Sequence, residues 1–290
     1  MKIWLDGTLV DQQDAKLSVF DHGTLYGDGV FEGIRFYNHR VFRLDDHIKR
    51  LYQSARFIML DIPYTFDEMI KATCETVAAS GLKDGYIRLV VTRGAGNLGL
   101  NPFNCPRASV YIIADKISLY DEKYYREGLE LITSSVRRPT PAALSPQVKS
   151  LNYLNNIMAK TEAIRYGVLE ALMLNEQGNV AECTGDNIFI VKEGVVYTPP
   201  VSDGGLDGIT RRVVMEICEI LHIPCVERTM NRYDLIIADE CFLTGTAAEV
   251  IPVSALDGRH IGCGNERPVT QKILNKFKEL TTTTGTPVNA

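Results

Sequence analysis

The sequence predicts a two-domain α+β fold, and three observations carry that prediction. At 290 residues the chain is long for one hydrophobic core and ample for two. The first part reads as a hairpin, a pair of strands, two helices and two further β-rich runs, a mixture within one core. A polar, aromatic stretch, "SLYDEKYYREG", then separates halves of different texture. The expected division is a smaller domain over residues 1–118, a linker over 119–128 and a larger domain over 129–290.

Local signals place the elements in order. "KIWLDGTLV" predicts a hairpin turned at Asp6-Gly7, and "GVFEGIRFYNHRVFRL" two strands turned at Asn38-His39. "DDHIKRLYQSARFIM" predicts a helix capped by Asp45 or Asp46, and "TFDEMIKATCETVAASG" a second helix stopped by Gly81. "GYIRLVVTRG" and "ASVYIIAD" are β-rich, with Pro102 and Pro106 in the loop between them. From Leu129 the order is strand, proline-rich loop, helix, several short strands, a helix from near Ile209, more strands and a last helix over Pro268 to Leu280. The tail "TTTTGTPVNA" is expected to fray.

Composition excludes several classes of function. Hydrophobic residues make up 45% and charged residues 23%, as in ordinary globular proteins, and a net charge of −5 argues against a general nucleic-acid binder. "MKIWLDGTLV" reaches Asp6 before a signal-length apolar core, and no run approaches the roughly 20 apolar residues of a membrane span. The expected location is therefore cytoplasmic, with neither membrane nor nucleic acid as a partner. Seven cysteines without a C-x-x-C fit reduced thiols. Five histidines without H-x-H or H-E-x-x-H leave little support for a metal site, and none is expected.

"GAGNLG", Gly94 to Gly99, matches the dinucleotide fingerprint G-x-G-x-x-G. Two prolines in the following "LNPFNCPRAS" leave no room for the crossover helix that would hold a pyrophosphate. A better anion site opens the later helix: in "GGLDGITRRVVMEICEIL", Gly208 precedes Ile209 and Thr210, whose N–H groups and hydroxyl suit a phosphate. A small-residue turn, "TGTAAEV", adds Gly245, further N–H groups and the Thr246 hydroxyl. Taken alone, each is an ordinary cap or turn.

Together with "VKSLNYLNN" and "GNVAECTGDNIFIVKEGVVYTPP", these segments resemble the class IV (fold type IV) pyridoxal-phosphate aminotransferases, and most closely the branched-chain amino-acid aminotransferases. "LYGDGVFEGIRFY", "HIKRLYQSA", "YIRLVVTRGAGNLGLNP", "AECTGDNIF", "LDGITR" and "LTGTAAEVIPV" match in the family's order, so the resemblance spans nearly the whole chain. It implies a small α/β domain, a larger domain with a mixed and partly barrel-like sheet, and the cofactor pyridoxal 5'-phosphate between them. It also implies at least a homodimer, in which Leu98 to Leu100 help to complete a neighbouring site.

By the same resemblance Lys149 is the catalytic lysine, forming the Schiff base with the cofactor and then shuttling the substrate Cα proton. Tyr153, four residues on and on the same face if the segment is helical, would hydrogen-bond the phenolic oxygen. Glu182 would face the ring nitrogen, which must hold a proton for the ring to draw electrons. Thr184, Gly185, Asp186 and Asn187 would lie against one ring face and Leu206 against the other. Arg50 would join Gly208, Ile209, Thr210, Gly245 and Thr246 around the phosphate. Tyr26, Phe31, Tyr86, Arg88, Leu98 and Leu100 would line the substrate pocket, with Thr246, Ala247 and Ala248 holding the α-carboxylate.

Leucine, isoleucine and valine with 2-oxoglutarate are the expected substrates. "FEGIR" and "YIR", and the lack of an R-x-H, favour these over D-amino acids. A D-amino-acid or (R)-amine transaminase and an aminodeoxychorismate lyase of the same fold remain alternatives. A cofactor-binding protein without catalysis would need the phosphate cup but not Lys149.

Overall fold

The computed structural model describes residues 1–264 and 266–288. The chain divides into two compact units. Met1–Ile117, Val148–Asn152 and Thr281–Ala290 form the first, and Ser118–Gln147 with Tyr153–Leu280 the second. This differs from the contiguous division expected from sequence. The segment expected as a linker is built into the second unit: Tyr120 is buried in its core, and the Tyr125 hydroxyl donates to Ala248 O at 3.1 Å.

In the first unit the strands are β1 (Lys2–Leu5), β2 (Thr8–Asp11), β3 (Gly29–Tyr37), β4 (Arg40–Val41), β5 (Gly85–Thr92) and β6 (Ser109–Asp115), with helices α1 (His22–Tyr26), α2 (Leu44–Phe57) and α3 (Phe66–Ser80). The sheet order is Thr286–Pro287, β4, β3, β5, β6, β1, β2, every pairing antiparallel. Antiparallel β5 and β6 remove the parallel crossover that a dinucleotide fold needs at Gly94–Gly99. The expected fraying of the tail is corrected: its last helix runs Pro268–Thr283, and Thr286–Pro287 pairs with the edge strand β4. Val288 N donates to His39 O at 2.9 Å, so the tail supplies partners to an otherwise open edge. Asn289 and Ala290 lie outside the described residues.

Strand alternation sorts β3 into two faces. Val30, Ile34 and Phe36 enter the core shared with Ile48 and Leu51 of α2, and Glu32 has the same parity. Phe31 and Gly33 have the opposite parity, and Gly33 pairs across to Arg88 of β5. Helix α2 begins one residue before the expected caps, after Arg43 at φ 52°, so Asp45 and Asp46 sit in its first turn. There they complement the helix dipole instead of capping. Gly81, at φ 66°, ends α3 as expected.

The second unit contains α4 (Glu122–Glu127), β7 (Leu129–Thr133), α5 (Pro141–Leu144), α6 (Leu154–Arg165), β8 (Glu170–Leu174), β9 (Val180–Cys183), β10 (Asn187–Lys192) and β11 (Val195–Thr198). It continues with α7 (Ile209–Ile220), β12 (Cys225–Glu227), α8 (Arg232–Ile236), β13 (Glu240–Gly245), β14 (Glu249–Leu256) and β15 (Arg259–His260). Its mixed sheet runs β12, β11, β10, β13, β14, β7, β8, β9, with β15 on β14. The β14–β7 and β7–β8 pairings are parallel while β10–β13 and β13–β14 are antiparallel. Ile188, Ile190, Cys241 and Leu243 of β10 and β13 face one core with Leu131 and Leu172. Phe189 and Phe242 stack on the opposite face, centroids 5.0 Å apart. Among the described residues no helix is long and apolar enough to cross a membrane.

Helix α3 opens with a capping box: Glu68 N donates to Thr65 Oγ1 at 3.3 Å, and Thr65 N donates to Glu68 Oε2 at 2.7 Å. Thr65→Ala should lower unfolding stability by about 1 kcal/mol in urea titration, with unchanged transition steepness.

Candidate active site

In the first unit Lys149 is held by its backbone. Its N–H donates to Ser54 Oγ at 3.2 Å and its carbonyl accepts from Phe31 N at 3.0 Å, while Ser150 bridges Val30. Lys149 thus lies in an extended stretch along β3. The expectation that Lys149 and Tyr153 share a helical face is corrected, because α6 starts only at Leu154 and Tyr153 is its N-cap, in the second unit.

The Lys149 ammonium stands 4.5 Å from the Phe31 ring centroid, and the Arg88 guanidinium is 4.6 Å from the same centroid. Arg88 also donates to the Tyr86 hydroxyl at 3.2 Å. Lys149, Phe31, Tyr86 and Arg88 are therefore neighbours in the first unit. Tyr26 OH donates to Leu98 O at 2.7 Å, which fixes the start of the loop carrying Leu98 and Leu100, both strongly exposed.

Arg50 lies on the buried face of α2, where its Nε and Nη2 donate to Glu32 Oε1 and Oε2 at 2.7 and 2.8 Å. His47, one turn earlier, meets Glu32 Oε2 through Nδ1 at 2.7 Å. Burial alone would raise the Glu32 carboxyl; the Arg50 charge and the hydrogen bonds outweigh it and hold the group at about 2. Burial pushes the His47 imidazole below its usual value, against the Glu32 bond. Sequence reasoning missed Glu32 and His47, although a lone glutamate among the apolar residues of "GVFEGIRF" was a signal.

In the second unit Glu182, on β9, is buried and ion-paired with Arg138 at 2.8 Å. It accepts from Leu206 N at 2.9 Å and from Asn187 Nδ2 at 3.2 Å. Arg138 also donates to Asn156 Oδ1 at 2.9 Å, and Asn156 passes the link to Thr184 O at 2.8 Å. Arg138 was missed, since nothing in "VRRPT" marks it and its partner is far along the chain.

Gly208 is the N-cap of α7, and a Cβ there would stand 2.0 Å from Asn187 Oδ1, so only glycine lets the helix start so close to that amide. Arg212 N donates to Gly208 O, leaving the N–H groups of Ile209, Thr210 and Arg211 without an acceptor in their own helix. Thr246, Ala247 and Ala248 form the turn between β13 and β14, with Gly245 and Glu249 paired at its base. The unit thus presents a buried carboxylate paired with an arginine and an anion-receptive helix start, a set that suits a protonated ring nitrogen and a phosphate.

Comparison with known proteins gives the family. The Amino-transferase class IV family matches residues 29–256. The chain belongs to the class IV aminotransferases. A Methanocaldococcus jannaschii relative, provisionally named a branched-chain-amino-acid aminotransferase, is 51% identical over 99% of each chain. The crystal structure of Escherichia coli branched-chain amino acid aminotransferase superposes with a TM-score of 0.96 at 34% identity, covering 99% of both chains. That of the T.th. branched-chain amino acid aminotransferase complexed with N-(5'-phosphopyridoxyl)-L-glutamate gives a TM-score of 0.92 at 40% identity, covering 97% of this chain and 94% of that one.

A second carboxylate group lies beside the Glu182 network of this aminotransferase. Glu170 Oε1 accepts from Thr184 N and Oγ1 at 2.9 and 2.5 Å, and Lys160 approaches Glu170 Oε2 at 3.4 Å. The Tyr120 hydroxyl lies 3.4 Å from both Glu170 Oε2 and Asp186 Oδ2. A Cβ on Gly245 would meet Asp186 Oδ1 at 1.9 Å, so the carboxyl is wedged against the turn backbone. Burial, and then the Glu170 charge, push Asp186 up to about 7 from 3.8. A raised carboxyl binds its proton more tightly in the folded protein, so its stabilising share is present below pH 3.8 and is lost as pH rises to about 7. Asp186→Asn should therefore raise unfolding stability at pH 8 by more than about 1 kcal/mol. At pH 4 the difference should shrink, as checked by urea titration at both values.

Proposed function

We propose that this aminotransferase exchanges the amino group of leucine, isoleucine or valine with 2-oxoglutarate, giving branched-chain 2-oxo acids and L-glutamate. The observation that carries the reading is the Phe31 ring, with the Lys149 amine and the Arg88 guanidinium 4.5 and 4.6 Å from its centroid. An apolar ring with a cation over it suits a pocket that must take both a branched side chain and the carboxylate of glutamate.

When bound, pyridoxal 5'-phosphate supplies an aldehyde and an electron-withdrawing ring that stabilises negative charge at the substrate Cα. Lys149 Nζ takes the Cα proton and returns it, as base and then acid. Glu182, ion-paired with Arg138 and fixed in place by Asn187 and Leu206, would face the ring nitrogen and favour its protonated form. Ile209, Thr210 and Thr246 are assigned to the phosphate, and Arg50, aligned by Glu32, is assigned to the same group by the family resemblance. Tyr153 is assigned to the phenolic oxygen, Thr184 to Asn187 and Leu206 to the ring faces, and Thr246 to Ala248 to the α-carboxylate. Tyr26 and Tyr86 complete the pocket, with Leu98 and Leu100 contributed by a second copy of the chain.

A homodimer is the proposed minimal assembly. Val19, Leu98, Leu100 and Phe103 are each more than two-thirds exposed, an apolar set suited to a second copy of the chain. The seven free cysteines support a reducing, cytoplasmic setting.

Lys149→Ala should abolish transamination in a folded protein, because the backbone bonds of residue 149 to Ser54 and Phe31 do not depend on its side chain. Loss of the borohydride-sensitive visible absorbance checks this; retention of that band with near wild-type turnover would assign the role to another lysine.

Arg88→Met should slow glutamate selectively, since a hydrogen bond to a charged group contributes about 1.5–3 kcal/mol, roughly ten- to a hundredfold in rate. Single-turnover constants with glutamate and leucine measure the split, and equal losses for both would reduce Arg88 to a support for Phe31 and Tyr86.

A further inference from the structure

One buried polar group near the start of α7 has no role in the assignments above. Thr244 is 1% exposed, and its Oγ1 finds no hydrogen-bond partner among the described residues. Burying an unpaired hydroxyl is destabilising, so a group left in this state points to a missing partner.

Its position says where that partner belongs. Thr244 lies directly opposite Asn187 in the β10–β13 ladder, and directly opposed residues project on the same face of a sheet. That face carries the Asn187 amide, which reaches Glu182 and Leu206 and lies against the N-cap Gly208. The other face, with Ile188 and Leu243, is the closed apolar core. Thr244 is therefore on the face that meets the first turn of α7, and two residues further on Thr246 opens the adjoining turn.

We propose that the Thr244 hydroxyl is a further phosphate-binding group, donating to an oxygen of the anion received by the N–H groups of Ile209 and Thr210. The inference rests on the cofactor reading given above and adds a residue to it. Valine at this position keeps the branched shape and removes the donor, whereas serine keeps the donor. The orphaned hydroxyl gives the proposal a signature in the cofactor-free protein as well: its removal should leave stability unchanged or raise it.

The test compares wild type, Thr244→Val and Thr244→Ser by dissociation constants for pyridoxal 5'-phosphate and for unphosphorylated pyridoxal, and by melting temperature of the cofactor-free chains. The valine variant should bind pyridoxal phosphate about tenfold more weakly. It should bind pyridoxal as wild type does and melt no lower, and the serine variant should recover the phosphate preference. An unchanged constant for pyridoxal phosphate overturns the proposal. So does an equal loss for both ligands, or a fall in the melting temperature of the cofactor-free valine variant, which would mark a structural hydroxyl. Failure of the Lys149 assignment reads out separately, in the borohydride-sensitive band, which Thr244→Val leaves in place at saturating cofactor.

Discussion

A carboxylate taken out of water keeps its charge only if a cation or several donors meet it, and the Glu182–Arg138 pair is where this structure most depends on that constraint. Arg138 comes from the loop after β7 and Glu182 from β9, so the pair ties a proline-rich loop to a sheet edge. Asn156 extends the tie to the start of α6 and to Thr184, and Leu206 N extends it toward α7. Segments at β9, the start of α6 and the approach to α7 are thus anchored around one ion pair, and the carboxylate can stabilise a positive charge without reorganising.

The same constraint has opposite outcomes at two other carboxyls. Glu32 is met by both prongs of Arg50 and by His47, and stays ionised to about 2. Asp186 has Glu170 for a neighbour and a tyrosine hydroxyl at 3.4 Å, and its proton is retained up to about 7. Burial is nearly equal in the two cases, so the neighbour's charge decides. Glu32 can serve as a fixed anion that orients Arg50, whereas Asp186, its carboxyl pushed up by burial and the Glu170 charge, packs against the backbone at Gly245.

Much of the architecture was legible in the sequence because it rests on local signals. Asp6-Gly7, Asn38-His39 and Gly81 mark turns and a stop through backbone conformations that few other residues adopt. The strand parity of "VFEGIRF" separates Phe31 from Val30 and Ile34 without reference to the rest of the chain. Boundaries were less legible: α2 starts at Leu44 after a left-handed Arg43, and the supposed linker packs inward through Tyr120. Neither follows from composition, since a tyrosine-rich polar stretch reads the same whether its rings face water or a core.

What the sequence determined by itself was the family, through short blocks in a fixed order, and from it came the roles proposed for Lys149, Glu182 and the glycine-led start of α7. Tertiary structure alone decided which partners hold these groups. Arg138 meets Glu182, Glu32 meets Arg50, and Lys149 is seated by Phe31 and Ser54, from positions far apart in the chain. Spacing along a sequence fixes the conformation of a backbone over a few residues, whereas the charge and protonation of a buried group depend on whatever the fold brings within about 4 Å of it.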